Sequence, residues 1–129
     1  MAMNTLVDTN IFLSILLDED KASICKQYLI DAEGKLFISD FSLHSIGVIT
    51  FRLGKKDTFD KFVADILPMV EIASLPWNSY NRLRKNSNDF SLDFDDAYQF
   101  GVAISNNLSI ATMDKDFRKV EEIVPVEFL

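Results

Sequence analysis

The chain has 129 residues, 48% of them hydrophobic, which is enough for one ordinary domain with a buried core and leaves no room for a second. Its formal charge of -7 excludes a general polyanion binder, because nonspecific nucleic-acid affinity comes mainly from lysine and arginine neutralising phosphates. Cys25 is the only cysteine, so an intrachain disulfide and a cysteine-rich zinc site are both excluded. No apolar run approaches the ~20 residues that span a bilayer, and the start of the sequence has no charged leader. The expectation is a soluble, cytoplasmic, single domain over residues 1–129.

Thr5-Leu6-Val7 predicts a short buried strand, and Asp8-Thr9-Asn10 is a helix-starting cluster before the apolar run from Ile11 to Leu17. A second helix follows, with Ala22, Cys25, Leu29 and Ala32 at helical spacing and Gly34 ending the segment. Leu36-Phe37-Ile38 is the next strand, and Ser39 or Asp40 caps a helix that runs toward Gly54. Residues 57–67 form a fourth helix stopped by Pro68, and residues 69–72 a third strand. Pro76 opens a helix through Leu83, whereas the polar stretch 85–88 predicts a loop. The segment opened by Asp96, behind Asp93 and Asp95, presents Ala97, Phe100, Gly101, Ile104 and Leu108 on one helical face. Ser109 to Thr112 is strand four, residues 114–120 a short helix or turn, and residues 124–128 a closing strand that Pro125 places at an edge. Strands alternating with helices imply α/β architecture, a central parallel sheet of about five strands with helices on both sides.

Such a sheet gathers residues distant in sequence. In open α/β folds the ligand crevice lies outside the C-terminal ends of the strands, and four aspartates fall there: Asp8, Asp96, Asp114 and Asp116. Carboxylates ~4 Å apart repel by about 4 kcal/mol per pair at an effective dielectric near 20. Such a cluster therefore requires protons or a cation. All-oxygen ligation suits a hard ion, with Mg²⁺ or Mn²⁺ the natural candidates.

The order Val7-Asp8-Thr9-Asn10, Asp96-Ala97, and Thr112-Met113-Asp114-Lys115-Asp116-Phe117, with its spacing, resembles the PIN domain over essentially the whole chain. The resemblance implies a three-layer fold and a metal-dependent endoribonuclease similar to the VapC toxins of prokaryotic toxin–antitoxin pairs. It also implies an RNA substrate, an antitoxin protein as partner, and a homodimer. Carried onto this chain, Asp8, Asp96 and Asp114 match the acidic metal ligands. Asp116 matches an additional aspartate that binds a second metal or positions water, and Thr112 and Asn10 would support the acids. The family usually has a glutamate six positions beyond the serine that starts the helix after strand two. Ser39 is that serine here, and Ser45 stands where the glutamate is expected. Asp40 and His44 are the nearest groups to compensate, although a one-residue step turns a helical side chain by about 100 degrees, so His44 faces inward only in a shifted register.

Each of these residues also has a plainer reading. Asp8 is a good helix N-cap, Asp93, Asp95 and Asp96 all suit a helix first turn, with spacing to Asp114 favouring Asp96 as the ligand and Asp95 second, Asp116 suits a solvated turn, and the eleven phenylalanines a core. His44, the only histidine, is expected to be a hydrogen-bonded structural residue more readily than a catalyst. Of three basic groups, the one formed by Lys115, Arg118 and Lys119 lies beside the acids in sequence and is the preferred RNA phosphate contact. A phosphoacceptor receiver domain also clusters aspartates, but it needs adjacent acids after the first strand, and Asp8 lies between Val7 and Thr9. A PIN scaffold with weakened catalysis, serving RNA binding or protein interaction, is the second reading that Ser45 leaves open.

Overall fold

A computed structural model describes residues 3–129. Five parallel strands form its centre: β1 (Thr5–Val7), β2 (Leu36–Ser39), β3 (Val70–Ala73), β4 (Ser109–Thr112) and β5 (Val126–Phe128), in the order β3-β2-β1-β4-β5. Every pairing is parallel, with Thr5 beside Leu36 on one side and Ser109 on the other. The expected sheet and three-layer fold are present. β5 is an edge strand, and Pro125 directly precedes it, lending its carbonyl to Ile110 N–H at 2.9 Å.

The helices are α1 (Thr9–Leu16), α2 (Ala22–Asp31), α3 (Asp40–Arg52), α4 (Lys56–Asp65), α5 (Leu83–Phe90) and α6 (Phe94–Ser105). Adjacent strand residues point to opposite faces, so Leu6 and Ile110 enter one core while Val7 and Ala111 enter the other. The first core packs α5 and α6 through Leu83, Ala97, Phe100 and Val102. The second packs α1 through α4 through Phe12, Cys25, Ile46 and Phe62. No helix among the described residues is long and apolar enough to cross a membrane.

Three local expectations change. Residues 85–88 lie inside α5, because Leu83 and Phe90 pack inward and the polar residues form the outer face, where Lys85 and Asp89 pair at 2.6 Å. Packing of an amphipathic face supplies the stability that local propensity lacks. Residues 77–82 form 3₁₀ turns rather than the α-helix expected after Pro76. Helix α4 ends at Asp65, before Pro68, which sits inside a further 3₁₀ turn.

Candidate metal centre at the C-terminal edge of the sheet

Sequence order reverses direction across the sheet at β1 and β4, and the acidic residues collect at the C-terminal ends of these two strands. Asp8 follows β1 and precedes α1; it is 7% exposed. Its Oδ1 accepts from Thr9 N–H at 2.9 Å and from Gln99 Nε2 at 3.2 Å, and its Oδ2 accepts from Thr112 Oγ1 at 2.7 Å. Burial pushes its carboxyl above the usual carboxylate range against the opposing pull of these hydrogen bonds. The N-cap reading thus holds for its contact with Thr9, but the cap leaves the links to β4 and α6 unexplained.

Helix α6 starts at Phe94, earlier than expected, with Asp93 as its N-cap accepting from Asp96 N–H at 2.9 Å. Asp95 and Asp96 consequently share the first turn. Asp95 is exposed, whereas Asp96 is buried. Burial, followed by the charges of Asp114, Asp93, Asp8 and Asp116, pushes the Asp96 carboxyl up to about 7.

Strand β4 delivers the remaining acids. Thr112, fully buried, donates to Asp8 while its oxygen accepts from Asp114 N–H at 2.9 Å, so one hydroxyl ties the ends of β1 and β4 together. Asp114 then caps a 3₁₀ turn by accepting from Asp116 N–H at 2.9 Å. Carboxylate oxygens of Asp96, Asp114 and Asp116 all lie within 4.8 Å of one another. Asp8 is outside that close triad but lines a cavity of about 280 Å³ together with Asp96 and Asp114, as do Asn10, Ser45, Asp95 and Gln99. This donor set, three clustered carboxylates of which the exposed Asp116 has Lys119 at 3.8 Å, fits a hard divalent cation.

Ser45 lines the cavity, as the register from Ser39 requires, and Ser39 rather than Asp40 caps α3 by accepting from Ser42 N–H at 3.0 Å. His44 does not point there. It is exposed and borders an apolar groove with Leu43, Val48, Phe51 and Phe59, because the unshifted helix turns it away from Ser45. Asp40 is likewise engaged elsewhere, accepting from the Tyr98 hydroxyl at 2.6 Å. Among the basic candidates, Lys119 donates to Ser91 C=O at 3.0 Å and lies 3.8 Å from Asp116, and Arg118 sits over the Phe128 ring; Lys115 is exposed. Trp77 is 87% exposed and is not among the residues lining the acidic cavity.

Gln99 is the residue that sequence reasoning missed. It is 2% exposed and joins Asp8 to Ser42. Its signal was a lone amide within an otherwise nonionic buried run of α6, one helical turn after Asp96.

Fold and site together define a parallel α/β domain with an acidic centre at its topological switch point. The PIN domain family model matches residues 5–123, and the chain belongs to that family. No curated protein sequence matches it. Among solved structures, it is similar to VapBC2 from Rickettsia felis bound to a promoter DNA fragment, at 18% identity and a TM-score of 0.75, covering 98% of this chain and 99% of that one. It is also similar to Mycobacterium tuberculosis VapC20, described as a Sarcin-Ricin loop cleaving toxin, at 15% identity and a TM-score of 0.74, covering 94% and 99%. FitAcB from Neisseria gonorrhoeae matches at 18% identity and a TM-score of 0.67, covering 95% and 96%.

Proposed function

We propose that the protein is a metal-dependent endoribonuclease and the toxin of a prokaryotic toxin–antitoxin pair. The observation that supports this most is the close triad of Asp96, Asp114 and Asp116 beside buried Asp8. These carboxylates would hold Mg²⁺ or Mn²⁺, which when bound supplies Lewis-acid stabilisation of phosphodiester charge and a more acidic water. Thr112 fixes the separation of Asp8 and Asp114 by bonding both, and Asn10 lines the rim. Asp116, whose side chain is 59% exposed, is the acid an incoming RNA backbone meets first and the one placed to take a proton from water. Lys115 is the basic neighbour best able to approach a phosphate, since Arg118 and Lys119 already have partners in the protein.

An antitoxin is the expected partner, because similar structures include toxin–antitoxin complexes. A homodimer is the expected assembly, checked by light scattering. The test of the chemistry is RNA cleavage with Mg²⁺ or Mn²⁺ and with chelator. Cleavage lost in chelator and in Asp114→Asn supports the reading, whereas full chelator resistance overturns it. Ser45 favours a second reading, a PIN scaffold with weakened catalysis acting in RNA binding or protein interaction, since a neutral hydroxyl lines the cavity at the position where the family resemblance implies a glutamate. RNA binding without cleavage at any divalent-ion concentration would select it.

A further inference from the structure

The Gln99 carboxamide is oriented by its surroundings. Its Nε2 donates to Asp8 Oδ1 at 3.2 Å and to Ser42 Oγ at 2.9 Å. The opposite orientation would set an amide oxygen against a carboxylate oxygen. Ser42 Oγ also accepts from Ser39 Oγ at 3.1 Å and shares a hydrogen bond with Thr9 Oγ1 at 2.6 Å. Gln99 Oε1 is left buried and without a hydrogen-bond partner, alone in this among the described side chains. A buried carbonyl without a donor costs free energy, and such atoms in native proteins call for a ligand or water. Gln99 is 98% buried yet lines the acidic cavity, on the same α6 face as Asp96 three residues earlier.

We propose that Gln99 is a further member of the cation site, its Oε1 accepting from a water of the bound divalent ion while its Nε2 holds Asp8 in place. The inference rests on the reading of the acidic cavity as a divalent-cation site. Gln99, bonded to Ser42 of the helix that carries Ser45, supplies a neutral oxygen to a cavity where Ser45 offers only a short hydroxyl. A neutral acceptor adds an anchor for the hydrated ion without adding a charge to a cluster already crowded with carboxylates. Because Nε2 and Oε1 serve different partners, the two functions separate by mutation.

The experiment is Mn²⁺ titration by calorimetry on the full chain without RNA, alongside metal-free thermal unfolding, for wild type, Gln99→Met, Gln99→Glu and Asp114→Asn. Gln99→Met removes both functions and is expected to weaken Mn²⁺ binding on the order of tenfold. Gln99→Glu loses the donor to Asp8 but keeps the oxygen acceptor, and is expected to bind Mn²⁺ at least as tightly as wild type despite a lower metal-free melting temperature. Should Gln99→Met not fold, Gln99→Asn, which withdraws the oxygen by one methylene, is expected to show the same weakening. Wild-type affinity in Gln99→Met or Gln99→Asn, or equal weakening in Gln99→Glu, overturns the assignment of Oε1. Mn²⁺ binding that is equal in wild type and Asp114→Asn, or absent from both, instead removes the cation-site reading itself.

Discussion

The two ends of the sheet make an instructive pair. At the N-terminal ends of the strands lies a cavity of about 520 Å³, roughly twice the volume of the acidic one, lined by Thr5, Tyr28, Asp31, Glu33, Ser109 and Glu127 among others. It carries three carboxylates, against five aspartates lining the acidic cavity. All three are exposed, however, and Asp31 already accepts from Gln27 at 2.9 Å. At the opposite end Asp8 and Asp96 are buried and three acids converge within 4.8 Å. The difference follows from chain direction. Parallel strands feed helices whose N-termini lie at the C-terminal edge, where backbone N–H groups and the helix dipole favour negative charge: Asp8 leads into α1, and Asp93, Asp95 and Asp96 surround the start of α6. Helix α2 instead brings its C-terminus to the other cavity, where the dipole gives acids no support. Volume is therefore a poor guide to the site, and burial with mutual proximity a good one.

The comparison breaks most decisively in RNA cleavage. Asp114→Asn should lower metal-dependent cleavage by on the order of 10²-fold or more with the fold intact by circular dichroism, while Asp31→Asn and Glu127→Gln at the other end leave the rate unchanged. Comparable losses at the two ends would erase the distinction.

Metal-dependent stability should divide the same way. Saturating Mn²⁺ at a hundredfold excess over Kd should stabilise the wild type by about 2.7 kcal/mol, seen as a higher Tm, and Asp96→Asn should lose most of that gain. The metal-free Asp96→Asn protein should melt at or above the wild type, because a buried repelling charge has gone.

A pH series sharpens the contrast further. Since the folded Asp96 carboxyl is raised to about 7, the metal-free folded state holds more protons than the unfolded chain between the ordinary aspartate range and that value. Its contribution to stability is complete at low pH and is lost as pH rises toward and through 7. Asp8, also raised, adds in the same direction. Thermal melts of metal-free wild type should show a drop across this window that Asp96→Asn largely removes and bound Mn²⁺ offsets. A flat profile in the metal-free wild type would contradict the crowding at this edge.

Smaller effects are expected on α3. Ser45→Glu should destabilise the metal-free protein by about 1 kcal/mol through like-charge repulsion and tighten Mn²⁺ binding, because the side chain faces the cavity. Unchanged melting and affinity would place residue 45 outside it. His44→Ala, on the exposed groove side, should alter Mn²⁺ affinity not at all.

Much of this was legible in the sequence because it rests on local, periodic signals. Alternating strand and helix patterns specify the parallel sheet, and strand ends carry Asp8 and Thr112 to its edge whatever the details of packing. The Ser39 register likewise predicts an inward Ser45 and an outward His44, since one helical step is about 100 degrees. Residues 85–88 were not legible: their polarity suits a loop, and only Leu83 and Phe90 meeting the core make them helical. Nor could sequence choose between Asp95 and Asp96 for burial, which depends on helix α6 beginning at Phe94. The bond from Gln99 to Asp8 spans ninety-one positions and the one from Thr112 to Asp8 one hundred and four. Sequence by itself determined which residue types reach the edge and in what order, because strand direction and helix periodicity are short-range. Which oxygens converge, which are satisfied and which is left unpartnered was decided by tertiary structure alone, because those contacts form only when β1, β4, α3 and α6 close on one another.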